Sequence, residues 1–146
     1  MVLTADVSIL TVLFRWLLIV SMSSLIFHLI GLNAAHHDPE IFHEGDAHRE
    51  DRDWGIFQLD SIIDRRDLKG SHFLVLTHFG DHILHHLFPT MDHGVLQQIY
   101  PILFETMDEF GVGIRDQSYL SHLIGQQKQL NRMSPNPIPP GGKKNN

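Results

Sequence analysis

The sequence has no cysteine and little positive charge. Without cysteine, disulfides, thiolate metal sites and thiol nucleophiles are excluded, so any metal site must use nitrogen or oxygen ligands. The formal net charge is −6, with 17 acidic and 11 basic side chains. Because nucleic-acid binding depends on a basic face, we expect no nucleic-acid partner. Internal repeats and strand-like alternation are also missing, and 146 residues are enough for one domain.

Histidine, in contrast, is abundant, with 12 among 146 residues. Most of the histidines fall into two clusters within otherwise ordinary, foldable sequence. The clusters contain His36, His37, His43 and His48, and then His72, His78, His82, His85, His86 and His93. Neither cluster is a run of consecutive histidines of the kind used as a purification tag, so both need a structural reason.

A long apolar segment lies near the start of the chain. Its cleanest part runs from Trp16 to Leu32, and at about 1.5 Å per residue it spans roughly 25 Å, close to the ~30 Å hydrocarbon core of a bilayer. We predict one membrane-spanning helix that ends near Leu32. Arg15 interrupts the longer run: either it reaches the interface beside Trp16, or residues 7–14 end a preceding helix.

Two other interpretations of this segment are a secretory signal peptide and the core helix of a soluble protein. A signal peptide needs a basic start and a shorter apolar region, whereas the start MVLTADVS has an acid and no base. Of the 11 basic residues, only Arg15 precedes Leu32. Because basic residues are biased toward the cytosol, we predict that the part after Leu32 is cytosolic.

The remainder is predicted to be mainly α-helical. Gly55–Leu68 gathers its apolar residues on one side, as does an amphipathic helix that lies on a membrane or a partner helix. A second predicted helix, Ser71–Phe88, is capped at its first residue and stopped by Pro89. A third, His93–Phe110, is interrupted at Pro101. The tail SPNPIPPGGKKNN is predicted to be disordered.

One side of the second predicted helix is occupied by histidines. With about 100° between successive residues, four imidazoles share an arc of roughly 100°: His78, His82, His85 and His86. Ile83 and Leu87 lie on the opposite side, where they can pack. A neutral imidazole offers one lone pair to a metal and donates its other N–H. Ligands spaced i, i+3 and i+4 can reach one metal or two adjacent ones, and nitrogen-rich sites suit iron, zinc, copper or nickel.

The other histidines have weaker signals. Directly after the apolar segment, Asn33 and His37 are four residues apart and share a face if the helix continues. Three more are predicted to be solvated surface residues: His48, His72 and His122. His28 lies in the apolar run, where an ionisable group faces a protein interior or water, and we predict a packed neutral side chain.

The segment HFGDHILHHLFPTMDHGVLQQIYP resembles the last histidine box of membrane fatty-acid desaturases, especially the type fused to a cytochrome b5 domain. That type has a similar HHLFP ending and a following helix that leads to a proline. The first box position, often glutamine there, is His82 here, as in the all-histidine box of acyl-CoA desaturases. Asn33 and His37 are similar to the Asn-x-x-x-His element of the latter. The resemblance covers about residues 16–112.

The resemblance implies a membrane desaturase-like fold in three parts. Residues 1–32 span the membrane, residues 33–112 form the C-terminal part of the desaturase domain with its last histidine box, and residues 113–146 form a polar extension and disordered tail. It implies a non-haem di-iron centre, with no haem in this chain, an acyl-lipid or acyl-CoA substrate, cytochrome b5 as electron donor, and the endoplasmic reticulum membrane as location.

The same resemblance implies which side chains hold iron. The ligands carried over are His37, His82, His85 and His86, and the weaker candidates are Asn33, His36, His43 and His78. The family pattern has three histidine boxes, and no other box precedes residue 33. We therefore expect this chain to be the C-terminal portion of such an oxidoreductase and to be inactive alone.

Two other classes of function stay open from the sequence. One is a membrane-anchored, histidine-rich protein that binds zinc and catalyses nothing. The other is a membrane haem protein that uses histidine pairs, which a Soret absorption band would reveal.

Overall fold

The structure is a computed structural model that describes residues 7–50 and 53–140. It is mainly helical, as predicted. The elements in chain order are α1 (Ile9–Leu25), a π-helical segment (Ile26–Asn33), α2 (Ala34–His36), α3 (Trp54–Asp60), β1 (Asp64–Arg65), a 3₁₀ turn (Arg66–Leu68), α4 (His72–His78), α5 (His82–Leu87), α6 (His93–Leu96), a second 3₁₀ turn (Gln97–Ile99), α7 (Tyr100–Phe110), β2 (Asp116–Gln117) and α8 (Tyr119–Leu130).

The first three elements form one continuous helix, Ile9–His36, which we name the long helix. It begins at Ser8, whose Oγ accepts the Thr11 backbone N–H at 3.2 Å. None of the residues of α1 is buried within the chain. With 28 apolar-rich residues, the helix is long enough to cross a membrane. It continues past the predicted end at Leu32, and so it carries His36 on its last turn.

The prediction of a helix over Gly55–Leu68 is wrong beyond Asp60. The Asp60 carboxylate is buried and forms ion pairs with Arg49 and Arg115, which fixes the chain in a tertiary contact where the helix ends. The apolar pair Ile62–Ile63 follows and is fully buried. These two side chains therefore belong to the core and do not face a membrane.

The predicted helix Ser71–Phe88 is two short helices joined by a turn. Its predicted cap is confirmed, because Ser71 Oγ accepts a backbone N–H of the first turn of α4. The turn contains Phe79 and Asp81 in left-handed conformations, with φ of 56° and 50°. Between them, a Cβ on Gly80 would lie 3.0 Å from Val75 Cγ2. This contact is tight, so the close approach of the backbone to α4 favours glycine at this position.

The third predicted helix is interrupted near Pro101, as expected. A 3₁₀ turn separates α6 from α7, and Pro101 occupies the first turn of α7, where its missing N–H is tolerated. A parallel pair of two-residue strands, β1 and β2, was not predicted. The buried core cluster consists of Leu59, Ile62, Ile83, Leu84, Leu96, Tyr100, Leu103 and Met107.

Two buried aspartates, Asp38 and Asp46, help attach the last part of the described chain to the rest. The Asp38 side chain, 2% exposed, lies against Gly125 of α8, in the space that a Cβ would occupy. Farther on, the Asn136 backbone N–H donates to Asp46 Oδ1 at 2.7 Å. Asn136, within the predicted disordered tail, is therefore attached to the body, whereas residues 141–146 lie outside the described residues.

Substitution of Gly125 by alanine is expected to lower the free energy of unfolding by about 1–3 kcal/mol, because the added methyl overpacks the Asp38 contact. Gly113→Ala is the matched control, since no atom lies within 4 Å of a Cβ there; we expect a change within about 0.5 kcal/mol. Thermal unfolding in detergent would measure both. Equal unfolding temperatures for the two variants would contradict the contact.

Candidate metal centre

Three histidines converge where the long helix meets α5. The candidate ligand nitrogens of His36, His82 and His86 all lie within 4.8 Å of one another. The ring centroids are separated by 4.8 Å for His36–His82, 5.0 Å for His36–His86 and 4.9 Å for His82–His86. Within residues 7–50 and 53–140, this is the one group of three or more such ligand residues.

Hydrogen bonds orient two of these rings. His36 Nδ1 lies 3.4 Å from the Ser61 carbonyl oxygen, and His86 Nδ1 lies 3.2 Å from Gln58 Oε1. A neutral imidazole that donates from Nδ1 keeps its lone pair on Nε2. The third ring, that of His82, is 2% exposed and its Nδ1 has no hydrogen-bond partner among the residues described. A buried nitrogen of this kind fits a metal ligand.

Burial keeps these imidazoles neutral. Desolvation, together with repulsion from His36 and His86, lowers the pKa of His82 well below its ordinary value. Desolvation, with smaller effects of His36 and His85, lowers the pKa of His86 to about 4. At neutral pH both rings therefore carry lone pairs that are free for a metal, so binding requires no proton release from them.

Acidification is expected to destabilise the metal-free chain between about pH 6.5 and pH 4. In this window the unfolded chain protonates His86 at its ordinary pKa of 6.5, whereas the folded chain holds that pKa at about 4. The unfolded state then binds more protons, so stability rises with pH and is lost as pH falls. The unfolding temperature of His86→Gln should fall less steeply over this window than that of the parent.

The control for this pH series is His48→Gln, because His48 is exposed on the surface. The unfolding temperature of His48→Gln should change with pH as that of the parent does. A His86→Gln slope equal to the parent slope would show that His86 does not contribute to the acid sensitivity.

His85 lies beside the three-histidine group, on the side of α6. Its ring stacks on that of His93 with centroids 5.4 Å apart and planes inclined by 13°. The ring of Phe79 contacts both His82 and His85, with centroid distances of 4.7 Å and 5.1 Å. Nδ1 of both stacked histidines is buried without a hydrogen-bond partner in the described part of the chain.

The remaining predicted candidates lie outside this group. His37 is exposed and its ring faces that of His43 at 6.1 Å, and Asn33 is exposed as well. His78 ends α4, before the turn, so the prediction that it shares one helical face with His82 is wrong. It contacts Thr77 Oγ1 at 2.9 Å and the Tyr119 ring.

The predictions for the other histidines had mixed outcomes. His48 and His72 are exposed, as predicted. The prediction that His28 is packed is wrong, because its side chain is exposed within the described chain; its Nδ1 lies 3.0 Å from the Ser24 carbonyl oxygen, one turn earlier in the long helix. The prediction for His122 is wrong: it is 1% exposed, with Nε2 3.3 Å from the Ile63 carbonyl oxygen. Its position within α8 gives no sign of this contact, which joins α8 to the residue just before β1.

Two buried carboxylates next to α5 were not predicted from the sequence. Asp64 Oδ1 accepts the backbone N–H of His82 at 3.2 Å, and Asp64 Oδ2 accepts the Tyr100 hydroxyl at 2.7 Å. Tyr100 Oη also lies 3.2 Å from Asp81. Burial, reinforced by the nearby Asp64 carboxylate, raises the pKa of Asp81. The predicted amphipathic helix Gly55–Leu68 placed Asp64 away from its apolar side, which concealed the burial of this carboxylate.

These features define a class: an α-helical chain in which three imidazoles meet at the end of an apolar helix that is long enough to cross a membrane. A model of the fatty acid desaturase family matches residues 1–118, and the chain belongs to that family.

A particular relative is the "Cytochrome b5-related protein" of Drosophila melanogaster, which is 65% identical over 130 residues. The match covers 89% of this chain but only 30% of the Drosophila protein. No solved structure matches the chain significantly.

Proposed function

We propose that this chain contributes three imidazole ligands, from His36, His82 and His86, to one iron of a non-haem di-iron centre. The supporting observation is the mutual distance of their ligand atoms, at most 4.8 Å. Metal–imidazole bonds of about 2.1 Å allow two ligand nitrogens to be at most about 4.2 Å apart. The observed spacing therefore needs only small ring movements to close around one ion.

His85 is proposed as a ligand of the second iron. Its ring centroid is 6.2 Å from that of His86, and its other neighbours are His93 and Phe79. It therefore lies near the three-histidine group but faces a different direction. His37 is not in this proposed ligand set, and its role stays a prediction from the resemblance.

We propose further that the complete protein is an O₂-dependent acyl-chain desaturase of the endoplasmic reticulum membrane, with residues 33–146 in the cytosol. Family membership supports an acyl-lipid or acyl-CoA substrate, and the name of the Drosophila relative supports a link to cytochrome b5 as electron donor. The proposal includes the division of the chain into a membrane-spanning part (residues 1–32), the C-terminal part of the desaturase domain (33–112) and a polar extension (113–146). Because the chain spans 30% of that relative, the other ligands would come from the rest of the protein.

Bound iron would supply, with O₂, the oxidising power to remove two hydrogens from adjacent carbons of an acyl chain. The chain itself holds neutral imidazoles in fixed directions. Gln58 and the Ser61 carbonyl each bind the Nδ1 side of one ligand ring and so direct its Nε2 toward the group. The Phe79 ring lies against His82 and limits the approach of water from that side.

Titration of the purified, metal-free chain with Co²⁺ tests the proposed site. We expect one ion per chain, with the visible spectrum of nitrogen ligation, and loss of both in the double variant His82→Ala, His86→Ala. The double variant His48→Ala, His72→Ala removes two exposed histidines and should bind as the parent does. Equal losses in the two double variants would contradict the site.

Metal analysis of the chain as purified separates the two leading functions. Iron supports the desaturase proposal. Zinc alone would favour a membrane-anchored zinc-binding protein without catalysis, because zinc accepts the same three-imidazole set.

A further inference from the structure

A buried arginine joins the long helix, which carries His36, to the end of α4, just before the turn that leads into α5. Arg65 is 1% exposed. Its Nη2 donates to the Gly31 carbonyl oxygen at 2.8 Å, in the π-helical segment of the long helix. Its Nη1 donates to the carbonyl oxygens of His78 and Phe79 at 2.9 and 3.0 Å, at the end of α4. One guanidinium thus binds both sides of the junction.

Two of these three carbonyl groups, those of His78 and Phe79, lie at the end of α4 and need a donor. Carbonyls at a helix end lack intrahelical partners, and the left-handed Phe79 ends α4 abruptly. The planar guanidinium offers five N–H donors in a fixed arrangement, which suits several carbonyls at set distances. Burial lowers the pKa of Arg65 to about 10, so the group stays charged at neutral pH and the carbonyl dipoles stabilise it.

The preceding residue binds the start of α5. Asp64 Oδ1 accepts the backbone N–H groups of His82 and Arg65, at 3.2 and 3.0 Å. Asp64 Oδ2 accepts the Tyr100 hydroxyl and lies 3.5 Å from Lys69 Nζ. Asp64 therefore holds His82 directly, while Arg65 holds the chain five residues before His36 and three residues before His82.

The dipeptide is itself held in place by neighbouring backbone. It forms β1, which pairs in parallel with β2, and the Asp64 backbone N–H donates to the Arg115 carbonyl at 2.9 Å. The Ile63 backbone N–H donates to the Ala35 carbonyl oxygen at 3.1 Å, immediately before His36. A short strand thus fixes the two side chains relative to the last turn of the long helix.

We propose that Asp64 and Arg65 are positioning residues that set the separation between the His36 imidazole on the long helix and the His82 and His86 imidazoles on α5. This inference rests on the proposed function, because it assigns the pair to the same metal site. Neither side chain is a ligand: Arg65 acts through the Gly31 and Phe79 backbone, and Asp64 through the His82 backbone N–H.

The test uses Arg65→Gln, with Arg66→Gln as the matched control. Arg66 is the adjacent arginine, and its Nη2 donates to the Asp116 carbonyl at 3.1 Å on the exposed side of the same strand pair. Because the chain has no cysteine, Leu29→Cys and Val95→Cys can carry two spin labels, one on the long helix and one on α6. Pulsed electron resonance then gives the distance across the junction in the metal-free, full chain.

We expect Arg65→Gln to broaden the distance distribution and to weaken Co²⁺ binding at least about tenfold, the effect typical of losing support behind a ligand. Arg66→Gln should match the parent in both measurements. Arg65→Lys keeps the charge without the planar donors and should recover part of the affinity. If Arg65→Gln fails to fold, Arg65→Lys decides alone.

An Arg65→Gln or Arg65→Lys chain with the distance distribution and Co²⁺ affinity of the parent would overturn the inference. If the parent binds no Co²⁺, the proposed function fails, but the label distances still test whether Arg65 sets the junction. The two failures are therefore distinguishable.

Discussion

Replacement of His36 by alanine is expected to lower the affinity of the chain for Co²⁺ at least about 100-fold, more than the loss of a supporting residue would. Replacement of its neighbour His37 should change the affinity less than about threefold. The reason is geometric: the His36 nitrogen lies within 4.8 Å of those of His82 and His86, whereas the exposed His37 faces His43.

Isothermal titration of the two metal-free variants would measure the difference. The pair is a matched comparison, since it removes the same side chain from adjacent positions at the end of the long helix. A larger loss in His37→Ala than in His36→Ala would restore the ligand set implied by the family resemblance. It would also require the last turn of the helix to rewind on metal binding.

Desaturated product is expected only when this chain is extended by the two further histidine boxes that the resemblance implies. The described residues form one group of three converging ligands, which is enough for one ion but not for a pair of irons. We expect two irons per extended protein and no product above background from the chain alone. Gas chromatography of cellular acyl chains after expression in a desaturase-deficient host would measure this.

The control is the extended protein with His82→Ala, which should fold in the membrane and yield no product. Product from the unextended chain would refute the expectation that its metal site is incomplete. Product from the extended His82→Ala protein would refute the proposed ligand set while leaving the family assignment intact.

Much of the helical framework follows from sequence alone, because strong local signals specify it. The apolar run before Leu32 predicts the long helix. The Ser71 cap and Pro89 predict where the segment that contains α4 and α5 begins and ends. The spacing within His82–Leu87 correctly predicts Ile83 on a packing face, where it is 1% exposed. Periodicity over a single short helix is reliable because its geometry is local.

Errors arose where tertiary contacts override the local pattern. The ion pairs of Asp60 end α3 early, and the left-handed turn at Phe79 separates His78 from the helix that it was predicted to share. A buried arginine such as Arg65 is read from sequence as a surface residue, because charged side chains are seldom buried without partners. Its carbonyl partners are distant along the chain, so composition and periodicity give no sign of them.

Whether His36 or His37 faces the other two histidines depends on the winding of the long helix several residues earlier. Neighbouring positions on an α-helix differ by about 100° in direction, whereas the π-helical segment Ile26–Asn33 bonds one residue farther along and winds differently. The winding of this segment sets the direction in which each later side chain of the long helix points. A homologue that lost one residue within this segment could present the next imidazole instead, and aligned histidine motifs in the family need not be equivalent ligands.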